Sequence, residues 1–329
     1  MSNLPILEVK NLVKHFPIKS RGVLFSSQVG VVHAVDGVSF TVNRGETYGL
    51  VGESGCGKTS TARAIIYLDP PTSGEIFFDG KEVGETFKSK DKEAILHLRQ
   101  KMQYVFQNPY ASLDPRMTVS DIIMEPLIIH SHVPKEKWHD RLYELLRLVG
   151  LEEYHAERYP HEFSGGQRQR ICIARALAVE PEFIIADEPV ASLDVSVRAQ
   201  ILNLLQDLQR ELKMTYLYIS HDLSTVRHIC HRVAVMYLGK FVEVADTEDL
   251  FKEPLHPYTQ ALMSAIPVPD PDAQARRIVL PGEVPSATNP PPGCRFEPRC
   301  VYAKNHGCVH SNPELRDMGH GHFVACSAP

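Results

Sequence analysis

At 329 residues, with 43% hydrophobic and 23% charged residues, the chain has the make-up of a globular protein built as one large domain with an annex, or as two domains. A formal charge of −5 gives no general attraction to nucleic acid, and no run nears the ~20 apolar residues that cross a bilayer. "MSNLPILEVK" lacks the basic-then-apolar layout of a signal peptide, so the expectation is a cytosolic chain that reaches a membrane only through partners.

In chain order, "GETYGLVG" predicts a short strand running into a glycine loop, and "TSTARAIIYL" a helix after it. "EIFFDGKEV" predicts a hairpin with Asp79-Gly80 at its turn. Residues 115–180 read as mostly helical. "EFIIADEP" and "TYLYIS" are short apolar runs of the kind buried in a parallel sheet. Between them, "RAQILNLLQDLQREL" places Ile201, Leu204, Leu205, Leu208 and Leu212 on one helical face, which predicts core packing. Thirteen of the 24 prolines follow residue 250, so the core is expected to end near residue 245 and to give way to a loop-rich annex. Strands alternating with helices predict an α/β nucleotide-binding layout.

"GESGCGKT", residues 52–59, fits the phosphate-loop pattern G-x-x-x-x-G-K-[ST]. Gly52, Gly55 and Gly57 let the backbone take conformations closed to other residues and approach phosphates closely. The helix that follows adds amide donors and the positive end of its dipole. Lys58 is assigned to the β- and γ-phosphates and the Thr59 hydroxyl to Mg²⁺, with Ser54, Cys56 and Ser60 completing the nucleotide-binding stretch. Cys56 reads as a tolerated small residue rather than a redox switch. "FIIADEP", residues 183–189, is an apolar strand that ends in two acids, where ligands of open α/β sheets sit. Asp187 is assigned to the Mg²⁺ shell and Glu188 to polarising an attacking water as general base.

With these two motifs in place, the chain resembles an ATP-binding cassette ATPase. "FSGGQRQR" resembles the family's signature, Ser164-Gly165-Gly166-Gln167, a second glycine-rich phosphate cradle that closes over the nucleotide of a neighbouring subunit in a head-to-tail dimer. "SLD", ending at Asp194, resembles the loop that links the two sites of that dimer. His221 in "YISHD" matches the switch histidine that contacts the γ-phosphate. Gln107 in "YVFQNP" matches the glutamine that senses Mg²⁺ and water and relays to the membrane partner. Phe16 is the best match to the aromatic that stacks on adenine, with Phe25 as its substitute. Two departures are mild: the signature begins with Phe163 rather than leucine, and the phosphate loop ends Lys-Thr-Ser rather than Lys-Ser-Thr.

"VFQNPYASLDPRMT", "RYPHEFSGGQRQR", "DEPVASLDVSV", "VMYLGKFVE" and "HPYTQALMSAIP" narrow the resemblance to the ATPase subunits of oligopeptide/dipeptide importers, of the F type. The resemblance implies a P-loop fold with a RecA-like core, an antiparallel β subdomain and a helical subdomain at about residues 110–175, together spanning 1–245, and a C-terminal extension over 246–329. It also implies a homologous ATPase subunit as heterodimer partner, two transmembrane permease subunits, an extracytoplasmic substrate-binding protein, and a peripheral place on the cytoplasmic face of the membrane. Nickel importers share the motifs, so the cargo stays open. A soluble cassette ATPase of DNA repair or translation would carry two cassettes or a long coiled coil, and this chain has neither. A module with vestigial nucleotide motifs conflicts with every motif being complete.

In a reducing compartment, seven cysteines favour metal ligation or spare thiols over disulfides. Cys294, Cys300, Cys308 and Cys326 are spaced C-x5-C-x7-C-x17-C, without the C-x2-C pair of ordinary zinc ribbons. Four thiolates in a proline-fixed segment suit a tetrahedral sulfur site, either zinc or an iron–sulfur cluster. The family's extension carries this cysteine pattern, and the resemblance implies a 4Fe–4S cluster. If zinc is the metal, His306, His310 and His322 are further candidate ligands. Cys172 and Cys230 read as core fillers.

Overall fold

The computed structural model describes residues 4–19, 28–130, 133–266, 277–303, 308 and 312–327. Strands β1 (Leu7–Lys19), β2 (Gln28–Val42) and β3 (Thr47–Val51) lead to helix α1 (Lys58–Ile65). β4 (Ser73–Phe78) and β5 (Lys81–Glu82) form the expected hairpin, with Asp79 at φ 49° and Gly80 at φ 74° in its turn. Two left-handed residues in succession are what an Asp-Gly hairpin turn requires. Then come α2 (Val83–Ser89), α3 (Lys92–Lys101), β6 (Met102–Val105), α4 (Pro109–Ser112), α5 (Val119–His130), α6 (Trp138–Leu148) and α7 (Gly165–Leu177). β7 (Phe183–Asp187), α8 (Val195–Leu212), β8 (Thr215–Ser220), α9 (Leu223–Ile229), β9 (Arg232–Tyr237) and β10 (Lys240–Asp246) follow. Beyond them lie α10 (Thr247–Lys252), α11 (Pro257–Ser264), β11 (Arg316–Asp317) and β12 (Phe323–Val324).

The chain divides into two compact units. The first takes Met1–Ile6, Val42–Thr47 and Glu85–Ile219. In it β6, β7 and β8 pair in parallel, Met102 opposite Phe183 and Phe183 opposite Thr215. Every residue of β7 and β8 is buried, which is why neither run shows polar alternation. The helices bury apolar stripes, such as Leu142, Leu145 and Leu146 of α6. On α8 the buried stripe is Ile201, Leu202, Leu205 and Leu208. The expected face is thus slightly rotated: Leu202 joins it, Leu204 is half-buried, and Leu212 is exposed because the helix ends there, at Lys213 with φ 54°.

The second unit takes Leu7–Thr41, Tyr48–Gly84 and Ser220–Pro329. It holds an antiparallel sheet in the order β2-β1-β4-β5, with Leu7 opposite Phe78 and Val9 opposite Ile76. It also holds strands in the order β11-β12-β10-β9-β3, where β3 and β9 run parallel and the rest antiparallel. Leu238 at φ 44° and Gly239 at φ 84° close the β9–β10 hairpin. Beyond β10 the described residues are mostly loop, with the short α10 and α11. It then returns so that β12 lies against β10, Glu243 opposite Val324. Cys172 and Cys230 are buried, and burial pushes the Cys172 thiol up to about 11, as expected of inert core fillers.

Candidate functional site

Residues 52–59 form a tight loop between β3 and α1. Gly57 is the cap of α1 at φ 111°, and a Cβ there would lie 2.1 Å from the Ala34 carbonyl oxygen. Gly52 has φ 151°, and a Cβ there would lie 2.2 Å from the Met236 carbonyl oxygen. Neither position admits a side chain, so the backbone closes into a cradle. Lys58 is buried inside it, its Nζ donating to the carbonyl oxygens of Gly52 at 2.8 Å and Glu53 at 3.0 Å. Gly55, Ser54 and Thr59 are exposed at the rim, and Ser60 is half-buried. Burial pushes the Cys56 thiol up despite the Lys58 ammonium 3.8 Å away, so it stays protonated, as a packing residue would.

In the other unit β7 delivers two carboxylates. Asp187 is 3% exposed and accepts a hydrogen bond of 2.6 Å from the Tyr104 hydroxyl. Glu188 turns out of the strand at φ 47°, a conformation rare for a residue with a Cβ. Its N–H donates to Ile219 O at 2.9 Å, which fixes that turn. Its carboxylate accepts from Gln107 Nε2 at 2.7 Å, so two residues matched from distant motifs meet. Gln107 itself is exposed, two positions beyond β6.

Ser164 caps α7. Its hydroxyl accepts from Gln167 N at 3.3 Å, and the Gln167 side chain accepts from Ser164 N at 3.0 Å. This reciprocal box satisfies two amides that a helix start leaves open. Gly165 and Gly166 lie where the chain around Asp194 approaches: a Cβ on Gly166 would come 2.2 Å from Val197 Cγ1, and one on Gly165 3.3 Å from Leu193 Cδ2. Asp194 caps α8, accepting from Val197 N at 3.0 Å and the Ser196 hydroxyl at 2.8 Å, and these bonds hold its carboxyl below the usual range.

His221 is exposed just past the end of β8, and Phe16 is half-buried on β1 with Lys14 Nζ 4.7 Å from its ring centre. Phe25, His306 and His310 lie outside the described residues. His322 is engaged elsewhere, its Nε2 2.7 Å from the Glu243 carboxylate. Burial raises the pKa of Cys294, Cys300 and Cys308, and each of these thiols is raised further by the charge of others among the four, so Cys294, Cys300, Cys308 and Cys326 share one neighbourhood. They are nevertheless not a group whose ligand atoms all lie within 4.8 Å of one another. Among the described residues that spacing is met by His15, His33 and Asp36.

Sequence reasoning missed Tyr104, which a parallel register could have found, since it faces Ile185 two positions before Asp187. It also missed the partners of Glu53. Arg299 forks onto the Glu53 carboxylate at 2.9 and 3.4 Å, and the Glu53 N–H donates to the Tyr258 hydroxyl at 2.9 Å. No local signal announces these.

Residues 35–191 match the family model described as ABC transporter, and residues 242–308 match that of the oligopeptide/dipeptide transporter C-terminal region. The oligopeptide transport ATP-binding protein AppF of Bacillus subtilis is 51% identical over 323 residues, 98% of this chain and 96% of its own length. The dipeptide transport ATP-binding protein DppF of Escherichia coli is 49% identical over 325 residues, covering 98% and 94%. Among solved structures, the ATP-binding cassette MJ0796, as a post-hydrolysis dimer bound to ADP and Pi, superposes with a TM-score of 0.63 at 30% identity, covering 73% of this chain and 98% of that one.

Proposed function

We propose a function on the premise that the chain belongs to the ABC transporter ATPases, in the branch that carries the oligopeptide/dipeptide C-terminal region. It is the ATP-hydrolysing subunit of a membrane importer and energises uptake of oligopeptides or dipeptides through separate transmembrane subunits. No helix among the described residues is long and apolar enough to cross a membrane, which is consistent with a peripheral subunit on the cytoplasmic face. The observation that carries the reading is the phosphate loop, a backbone cradle closed by two obligate glycines around the buried Lys58 ammonium.

In this reading the amides of residues 52–59 and Lys58 bind the β- and γ-phosphates, and Phe16 stacks on adenine. Thr59, Asp187 and Gln107 offer the hard oxygen donors that suit Mg²⁺. The ion, when bound, neutralises charge on the transferred phosphoryl group. Glu188 is the general base: its carboxylate, held by Gln107, takes the proton of the attacking water, while His221 steadies the γ-phosphate. Ser164, Gly165, Gly166 and Gln167, with Asp194 beside them, serve the nucleotide of a homologous partner ATPase. Two permease subunits and an extracytoplasmic binding protein complete the transporter. Cys294, Cys300 and Cys308, raised by burial and by the charge of neighbouring thiols, suit a cationic metal centre that keeps them ionised, with Cys326 as the fourth ligand. The centre proposed is a 4Fe–4S cluster, as the resemblance implies, with zinc as the alternative.

The test is Glu188→Gln in the assembled transporter. ATP binding should persist while turnover and peptide uptake fall by about 100-fold or more. Undiminished turnover would overturn the assignment.

A further inference from the structure

The extension reaches back to the phosphate loop through one short turn, Cys294-Arg-Phe-Glu-Pro-Arg-Cys300. Arg299, its side chain 9% exposed, forks onto the Glu53 carboxylate, inside the loop between Gly52 and Ser54. Tyr258 of α11 accepts the Glu53 N–H, so that residue is held at both its backbone and its side chain by the extension. The Glu53 carbonyl in turn accepts from Lys58 Nζ, the ammonium at the centre of the cradle. On the next face, Gly239 N donates to Cys56 O at 2.8 Å.

The turn is itself fixed. Phe296, 1% exposed, packs edge-on against Tyr237 at 5.3 Å and lies 5.5 Å from Tyr258. Arg295 donates to Leu238 O and pairs with Asp36, which also engages His15 and His33. The two arginines therefore sit directly beside two of the four clustered thiols.

We propose that this extension is a brace on the phosphate loop, with Arg299 and Tyr258 as positioning residues for Glu53, so that order in the Cys294–Cys300 turn sets how tightly the loop grips nucleotide phosphates. The inference rests on the reading of residues 52–59 as the nucleotide site. A bidentate guanidinium–carboxylate pair fixes orientation as well as distance, so it can hold a loop residue in one conformation. A pre-ordered loop binds without the entropic cost of ordering.

The experiment measures ADP·Mg²⁺ affinity by calorimetry on the full chain with its native metal content. It compares wild type, Arg299→Gln, Glu53→Gln, the double variant and Arg299→Lys, each with a nucleotide-free melting curve. Either single change should weaken affinity about tenfold, and the double no further than the worse single, because one interaction is lost in all three. Arg299→Lys keeps the charge without the fork and should recover only part. Cys300→Ser should weaken affinity in the wild-type background but not in Arg299→Gln. Should Arg299→Gln fail to fold, Glu53→Gln against Glu53→Gln/Cys300→Ser makes the same comparison. Wild-type affinity in the single variants, or effects that simply add, would overturn the brace while leaving the nucleotide site intact. Absence of ADP binding in wild type would overturn both.

Discussion

His256 should make the protein lose stability in mild acid. Its ring is buried and neutral, and burial depresses its pKa from 6.5 to about 3. Nδ1 must stay unprotonated, because it accepts the Tyr258 N–H at 3.1 Å and so caps α11. An unfolded chain carries an ordinary histidine that takes up its proton near pH 6.5, so between that pH and about 3 the unfolded state binds more protons. Stability is then full above about pH 7 and falls as pH drops through 6.5. From about pH 7 to about pH 5 the loss from this one group is about 2 kcal/mol, at about 1.4 kcal/mol per unit of pKa difference traversed. His256→Asn keeps an acceptor for the cap but cannot titrate. Urea unfolding of both proteins at the two pH values should show the wild type losing about 2 kcal/mol more than the variant. Equal losses would show that His256 is not held neutral in the fold.

Gly57→Ala should abolish ADP binding and cost about 2 kcal/mol or more, because a Cβ at φ 111° would also strike the Ala34 carbonyl; calorimetry and urea melts read the two effects. Tyr104→Phe removes the hydroxyl on Asp187 and should raise the Mg²⁺ concentration for half-maximal ATPase several-fold, about 3–10-fold, with little change in fold stability. Anaerobic wild-type protein should show a broad band near about 400 nm with matching iron and sulfide, both lost in Cys300→Ser; stoichiometric zinc without colour would replace the cluster by a structural ion.

The nucleotide motifs were legible because each is short and its chemistry is local. A cradle needs glycines at fixed offsets, and a buried strand needs an unbroken apolar run before its terminal acids. The Asp79-Gly80 turn was legible for the same reason: two positive-φ residues in succession leave few choices. The long strands β1 and β2 are hard to read because most of their length is partly exposed without a regular pattern, and alternation is clean only where Val38, Phe40 and Val42 are buried and Ser39 and Thr41 are not. Leu212 shares the core face of α8 by periodicity yet is exposed, because periodicity says which face a residue shares, not where the helix stops.

What no pattern could give is the tie between Glu53 and Arg299, which stand 246 positions apart. The phosphate-loop pattern leaves positions 53–56 free, and Glu53 is the one charged residue among them, with no role in the pattern. Read alone, "CRFEPRC" explains the thiols and leaves both arginines as ordinary surface charges. The structure turns the two unexplained remainders into one feature. A carboxylate in a phosphate-binding loop repels the ligand it borders, and it is tolerable where a buried guanidinium neutralises and fixes it. The acid in the loop and the arginine beside the thiol therefore require each other. Losing Arg299 alone should therefore harm nucleotide binding at least as much as losing both, because only then is the Glu53 charge left facing the phosphates.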